Sequence, residues 1–145
     1  MEFRRIGEDV FVRLDVGDEL HASIRELSSH GIFSAAITSG IGRVRDTTIG
    51  FLDSDGVYQK ENHMEPMELL STQGNLAPGP DGAFSHIHVV LCDDGHVVRG
   101  GHLFEATVEV TAEMHLRVLD SGESSAFERV ETDSDFVALS FCGIS

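Results

Sequence analysis

Four histidines stand close together in the run Ser85–Leu103, SHIHVVLCDDGHVVRGGHL, which constrains the fold more than any other stretch; one of them, His96, belongs to the tip of a predicted hairpin. In its first seven residues, small and apolar residues alternate with His86 and His88, as expected for a half-buried strand. Both imidazoles therefore project from one face of that strand. The cluster Asp93-Asp94-Gly95 predicts a tight turn, after which the chain returns as a second strand toward His102.

The length of this turn decides where His102 faces, because side chains alternate with a period of two along a strand. A two-residue loop at Asp94-Gly95 pairs His88 with Gly101 and turns His102 to the opposite face. A three-residue loop, or a bulge at the Gly100-Gly101 pair, shifts the register by one residue and places His102 opposite His88. Only in the shifted register do three imidazoles converge on one face.

Three neutral nitrogen donors with an open fourth position are typical of a catalytic or substrate-binding zinc site. Structural zinc sites, in contrast, usually close with four ligands, often thiolates. Nickel, cobalt, copper and iron accept the same donors. The shifted register would therefore give His86, His88 and His102 the donor set of an open site for zinc or another divalent transition metal.

One acidic residue is a candidate for catalysis beside such a site. Glu68 lies in the apolar run Met67–Ser71, which predicts a strand. A carboxylate near a metal-bound water acts as a general base or orients a ligand. The alternative is a solvent-facing strand residue, which is the common place for Glu. Asn75 is a similar candidate.

The charge of the chain is strongly negative. The net charge is −15, from 25 acidic and 10 basic residues, and Lys60 is the only lysine. The acidic residues are scattered along the chain, which predicts a solvated surface and suggests adaptation to high salt. Affinity for phosphates comes from clustered Lys and Arg. Direct nucleic-acid binding by this chain alone is therefore disfavoured.

The length of 145 residues and a hydrophobic content of 41% fit one domain, 1–145, with a single core. No apolar run approaches the roughly 20 residues of a membrane span, and the first residues lack the features of a signal peptide. We therefore expect a cytoplasmic protein that contacts no membrane.

Cys92 and Cys142 are expected to be free buried thiols and not a disulfide, because the chain has no secretory signal.

The fold class predicted by the hydrophobic pattern is α+β, a compact mixed or antiparallel sheet with one principal amphipathic helix at about residues 19–30. Leu20, Ile24 and Leu27 make the apolar stripe of that helix, and its two histidines, His21 and His30, are expected to be partly exposed or capping. The glycine-containing stretch 39–42 predicts a strand corner or bulge. The other expected strands are 10–16, 32–38, 43–52, 57–60, 103–110, 114–119 and 136–142, with a loop over 76–83.

The His-x-His pair, the Asp-Gly turn and the Gly-Gly-His-Leu sequence together resemble the signature of the PPC (plants and prokaryotes conserved) domain family. Residues 7–16 ahead of a helix, 39–42, and 68–71 ahead of Gly74-Asn75 carry the same resemblance, which covers nearly the whole chain. It implies a homotrimer of compact α+β subunits. The family's fold is similar to that of acetolactate decarboxylase, whose zinc is held by three histidines, so the resemblance implies metal ligation by His86, His88 and His102.

Two functions follow from the resemblance as alternatives. The first is a small metal-dependent enzyme or ligand-binding protein whose ligand is a small oxygen-rich anion. The second is an oligomeric interaction module without catalysis, associated with DNA regulation as in plant members, where the domain is joined to AT-hook segments. Arg4-Arg5 is the only early basic pair, so the plant DNA-binding element is missing from this chain.

Overall fold

The structure is a computed structural model, and it describes residues 1–120, 125–133 and 136–141. One helix, α1, occupies Leu20–Glu26 and continues as a 3₁₀ turn over Leu27–His30. The strands of the described residues are β1 (Glu2–Ile6), β2 (Asp9–Leu14), β3 (Ala35–Leu52), β4 (Tyr58–His63), β5 (Met67–Gly79), β6 (Gly82–Cys92), β7 (Val98–Val118), β8 (Phe127–Glu131) and β9 (Val137–Phe141).

Seven strands form one antiparallel sheet in the order β1-β2-β7-β6-β5-β3-β4. Strand β3 also pairs with β7, which closes β3, β5, β6 and β7 into a ring. The strands β8 and β9 form a separate hairpin. The predicted α+β class, with an antiparallel sheet and one principal helix at the expected place, is confirmed.

The core lies between α1 and the inner face of this closed sheet. The helical stripe Leu20, Ile24 and Leu27 is fully buried, because residues spaced by four and three share one face of a helix. The helix begins where the Glu19 carboxylate accepts hydrogen bonds from the backbone N–H groups of residues 21 and 22. It ends at Gly31, whose φ of 77° is the left-handed conformation that favours glycine.

The structure corrects several element boundaries. The two strands expected at 103–110 and 114–119 are one 21-residue strand, β7, and the loop expected over 76–83 is mostly strand, since β5 runs to Gly79 and β6 begins at Gly82. The segments 32–38 and 43–52 belong largely to one strand, β3. The register with β7 shifts on both sides of the stretch 39–42, between Ile37 and Ser39 and between Gly42 and Val44, so the irregularities flank the stretch where a corner or bulge is expected.

The end of the chain also differs from expectation. Residues 136–142 were expected to complete the core, but β9 pairs with β8 in the separate hairpin and its side chains are exposed or only half-buried.

Cys92 is free and half-buried, and Cys142 lies outside the described residues. Among the helical segments of the described residues, none has the length and apolar character needed to cross a bilayer.

Candidate metal centre

The turn between β6 and β7 sets the register of the histidines. The N–H of His96 donates to the carbonyl of Asp93 at 3.0 Å, and the N–H of Asp93 donates to the carbonyl of Val97 at 3.2 Å. His96 has a φ of 60°, as expected for the last residue of a three-residue hairpin loop. The loop is therefore 94–96, and His88 pairs directly with His102. The two-residue alternative, which would turn His102 away, is excluded.

The three imidazoles meet on the outer face of the β6–β7 hairpin. Their ring centroids are 5.1 Å apart for His86 and His88, 5.0 Å for His86 and His102, and 5.3 Å for His88 and His102. One nitrogen from each ring lies within 4.8 Å of the others. Around a tetrahedral zinc with Zn–N bonds of about 2.0–2.1 Å, nitrogens are on the order of 3.3 Å apart. Small rotations of the rings therefore suffice for all three to bind one ion.

Glycines let the neighbouring strands approach closely at this site. A Cβ on Gly101 would lie 2.7 Å from the carbonyl oxygen of Gly50 on β3, and one on Gly100 would lie 2.9 Å from that of Val89 on β6. On β5, a Cβ on Gly74 would overlap the carbonyl oxygen of His86. A side chain at any of these positions would push β6 or β7, the strands that carry the histidines, away from a neighbouring strand.

Burial keeps two of the imidazoles neutral. It lowers the pKa of His102 from 6.5 to about 4, with further contributions from the neighbouring imidazoles and Lys60. The pKa of His86 is lowered by burial first and then by Arg129 and the other histidines. Neutral imidazole is the form that binds metal, so these rings offer lone pairs at ordinary pH without losing a proton first.

One nitrogen of the cluster lacks a protein partner. Nδ1 of His102 is buried and makes no hydrogen bond within the described part of the chain. An unsatisfied buried polar atom costs on the order of 1–3 kcal/mol. An unpaired, buried ring nitrogen in a cluster of three imidazoles fits a site that takes an additional group, and the donor set fits zinc and its neighbours in the first transition row.

A cationic group that sequence reasoning missed lies behind His86. Arg129, on β8, places Nη2 3.3 Å from Nδ1 of His86 and donates to Oδ1 of Asn75 at 2.8 Å. Its guanidinium lies 5.4 Å from the centre of the Phe84 ring. The only sequence signal was a lone basic residue between Glu128 and Glu131, because the hairpin that carries it is distant in sequence from the histidines.

Two aromatic rings border the cluster at His102. The rings of Tyr58 and Phe104 lie 5.0 Å and 4.8 Å from that of His102. Nζ of Lys60 lies 3.8 Å from the centre of the Phe104 ring. The only lysine of the chain therefore lies at this site, over a ring that packs against His102.

The structure brings one of the two other candidates to the cluster. Asn75 pairs with His86 across β5 and β6. Glu68 pairs instead with Cys92, and its exposed carboxylate contacts Nη1 of Arg43 at 2.6 Å. The carboxylate of Glu68 is thus engaged by an arginine away from the histidines, and its catalytic role stays a prediction.

The remaining histidines of the expected helix behave differently from each other. His30 is exposed and packs edge-on against Phe3 at 5.0 Å, as expected for a helix-end residue. His21, expected to be partly exposed or capping, is only 7% exposed and lies beneath the sheet. The expectation failed because the partners of His21, Ser85 and Leu103, come from distant strands that no helical periodicity reveals.

The profile of the Plants and Prokaryotes Conserved (PCC) domain family matches residues 1–120. The chain belongs to this family. The same family is also abbreviated PPC, so the resemblance to the PPC domain is confirmed. Among the curated proteins compared with it, none matches the chain.

Solved structures show the same PPC fold. A PPC protein from Pyrococcus horikoshii is 29% identical over 99% of this chain and 97% of that one, with a TM-score of 0.79. A metal-containing protein from Archaeoglobus fulgidus is 37% identical, also over 99% and 97%, with a TM-score of 0.76. A protein from Bacteroides thetaiotaomicron, described as a candidate DNA-binding protein, is 21% identical over 97% and 96%, with a TM-score of 0.84, and shows the fold alone.

Proposed function

We propose that this protein binds one divalent transition metal ion per subunit, zinc in the first instance, through His86, His88 and His102. The observation that carries the proposal is the approach of one nitrogen from each ring to within 4.8 Å of the others. The lowered pKa values of His86 and His102 support it, because the rings need not lose a proton before they bind. The metal-containing relative from Archaeoglobus fulgidus adds support from a similar chain.

The ligand of this site is, in our proposal, a small oxygen-rich anion. The chain carries a net charge of −15, yet Arg129 lies beside His86 and Lys60 lies over the Phe104 ring, which packs against His102. Positive groups concentrated at one place on an acidic surface attract and orient anions. A bound divalent metal would supply a Lewis acid that polarises a ligand oxygen. The guanidinium of Arg129, with Nη2 3.3 Å from Nδ1 of His86, places a positive charge beside the cluster that would attract a carboxylate or phosphate.

Metal binding is tested by elemental analysis and by calorimetric titration with Zn²⁺. Wild-type protein should bind one ion per subunit, and the triple variant His86→Ala/His88→Ala/His102→Ala should bind none. His115→Ala is the matched control, because it removes an imidazole from the same strand β7 but outside the cluster. Equal zinc binding by the wild type and the triple variant would refute the proposal.

Anion binding is tested with inorganic phosphate and acetate on the cobalt-substituted protein, whose visible absorption reports the coordination of the metal. Arg129→Gln should weaken binding of these anions about tenfold, since a hydrogen bond to a charged group contributes about 1.5–3 kcal/mol. Arg43→Gln is the control, because its guanidinium is paired with Glu68 away from the histidines. An equal response of both variants would contradict a role for Arg129.

Assembly into a homotrimer is part of the same proposal. A groove of about 500 Å³ on the outer side of the sheet is bordered by Ile41, Leu70 and Val110, which are 56%, 48% and 58% exposed. Arg43, Glu68 and Glu113 also line this groove, and burial of its exposed apolar side chains favours association. Sedimentation equilibrium should give a trimer for the wild type and a smaller species for Val110→Glu. A monomeric wild type would contradict the assembly.

A regulatory association with DNA is the second candidate. It is favoured by the fold shared with the candidate DNA-binding protein from Bacteroides thetaiotaomicron. The charge of −15 opposes direct binding, because a protein must present clustered cations to displace counterions from phosphates. We therefore expect no gel shift of duplex DNA at physiological salt. A shift that survives excess competitor would revive this function.

A further inference from the structure

His21 joins the two strands that carry the histidine cluster, from the side opposite the cluster. Its Nδ1 lies 2.8 Å from Oγ of Ser85 on β6, and its Nε2 lies 3.0 Å from the carbonyl oxygen of Leu103 on β7. Ser85 immediately precedes His86, and Leu103 immediately follows His102. Because side chains alternate along a strand, Ser85 and Leu103 face inward where the two metal-site histidines face outward.

The hydrogen-bond chemistry fixes the form of this ring. A carbonyl oxygen only accepts, so Nε2 carries the proton and donates to Leu103. In the neutral ring, Nδ1 is then an acceptor, and the hydroxyl of Ser85 donates to it. Both nitrogens of His21 are thus used in opposite senses, and burial lowers the pKa of the ring, which favours this neutral form.

The two hydrogen bonds of His21 lie where β6 and β7 separate. The β6–β7 ladder pairs residues 88–92 with residues 98–102 and ends at His88 and His102. Beyond that point β7 pairs with β3, as in Ile49 with Leu103, while β6 remains paired with β5. The β6–β7 ladder therefore places His88 opposite His102 but does not extend to His86, and the ring of His21 bridges the two strands beyond the end of the ladder.

The helix that carries His21 is itself anchored to β7. Glu19 pairs with Thr107 in an isolated β-bridge, and its carboxylate accepts from the backbone N–H of His21 at 3.1 Å. The same carboxylate accepts from the N–H of Ala106 at 3.5 Å. His21 is also 7% exposed, so little water is available to replace its bonds.

We propose that His21 is a positioning residue of the metal centre, which sets the separation of His86 and His102 by binding both strands from beneath. This inference rests on the proposed metal site. Supporting residues around metal ligands typically change metal affinity about 10- to 100-fold when they are removed. The geometry assigns His21 that role through the two strands, without contact with the ion.

The experiment compares three variants for Zn²⁺ affinity by calorimetry, with the folded fraction checked by circular dichroism. His21→Leu fills similar space without polar atoms and should bind Zn²⁺ about 10- to 100-fold more weakly. His21→Gln offers an amide donor and an acceptor and should recover most of the affinity. Ile24→Ala perturbs the buried face of the same helix and should keep wild-type affinity. Wild-type affinity in His21→Leu, or equal losses in His21→Leu and Ile24→Ala, would overturn the inference.

A readout without metal separates this inference from the proposed function. Amide hydrogen exchange over residues 85–88 and 102–104 should accelerate selectively in His21→Leu and in Ser85→Ala, compared with Ile24→Ala. If the wild type binds no Zn²⁺, the proposed function fails, and the exchange comparison alone then tests whether His21 holds β6 and β7 together. Selective acceleration would then support the bridge, and uniform exchange among the variants would overturn it.

Discussion

His102 and His115 stand on the same strand, β7, and both point away from the buried core, yet their surroundings differ. The Nε2 atom of His115 lies 3.1 Å from a carboxylate oxygen of Asp9, and its Nδ1 lies 2.5 Å from the hydroxyl of Thr38. The neighbours of His102 are two imidazoles and two aromatic rings, and its Nδ1 is unpaired within the described residues.

The difference shows what makes a histidine available to a metal. Both nitrogens of His115 are already engaged by side chains, one by the carboxylate of Asp9 and the other by the hydroxyl of Thr38. The charged groups that act on the pKa of His102 are imidazoles and Lys60, all of which disfavour protonation. A metal ion competes with protons for the same ring nitrogens. In a chain with 25 acidic residues, the absence of a carboxylate among the described residues that act on the pKa of His102 therefore favours metal binding at the cluster.

The strongest way to break this comparison is to remove one histidine from each place. His102→Ala should weaken Zn²⁺ binding by more than about 100-fold, because loss of a ligand exceeds the roughly 10- to 100-fold effect of losing an outer-shell partner. His115→Ala should leave Zn²⁺ binding unchanged. Isothermal titration of both variants checks this. Equal losses in the two would mean that the cluster is not the binding site.

A substitution beside His102 tests how tightly the strands must pack. Gly101→Ala should lower the free energy of unfolding by about 1–3 kcal/mol, because its Cβ would meet the carbonyl oxygen of Gly50 at 2.7 Å. Gly95→Ala in the turn is the control, since its Cβ would meet only the side chain of Asp93, at 3.3 Å. Urea denaturation measures both. If the two variants were equally stable, close approach of β7 and β3 would not constrain the site.

Acidification sharpens the comparison further. The pKa of His102 falls from 6.5 in the unfolded chain to about 4 in the folded one, so between these values the unfolded chain binds the extra proton. The free energy of unfolding should therefore decrease as pH falls from 6.5 toward 4. With a chelator present, thermal unfolding of His102→Asn should depend less on pH than that of the wild type. Equal pH dependence would show that His102 is not held neutral.

The smallest effect is expected at Glu68. In the isolated subunit, its exposed ion pair with Arg43 should contribute at most about 1 kcal/mol to stability, because both groups are hydrated there. Glu68→Gln should also leave Zn²⁺ affinity within about twofold of the wild type, as its carboxylate is paired away from the cluster. Calorimetry and urea denaturation of the variant check both statements. A large loss of Zn²⁺ affinity would place this carboxylate at the site.

The sequence predicts the cluster because its signals are local. Alternation around His86 and His88 gives the strand face, and the Asp-Gly turn limits the return of His102 to two registers. The three-residue loop requires a positive φ at His96, which residues other than glycine seldom adopt. Periodicity carries no information on this angle, so it leaves both registers open.

Contacts between segments that are distant along the chain could not be predicted from the sequence pattern. The partners of His21 and the placement of Arg129 depend on α1 and β8 packing against strands far along the chain, and no periodic pattern encodes such packing. The 21-residue strand β7 was divided in two for a similar reason. It stays continuous by pairing with β2, β3 and β6 in turn, and this closure of the ring is a property of the whole sheet.

The most direct test of the account is the X-ray absorption spectrum of the zinc-loaded protein. Three imidazoles at about 2.0–2.1 Å should appear with one or more further light-atom ligands, because the three histidines leave a coordination position open. His102→Ala, loaded with zinc at high concentration, should show one imidazole fewer. A sulfur shell near 2.3 Å, or the same imidazole count in both proteins, would contradict a metal centre built from His86, His88 and His102.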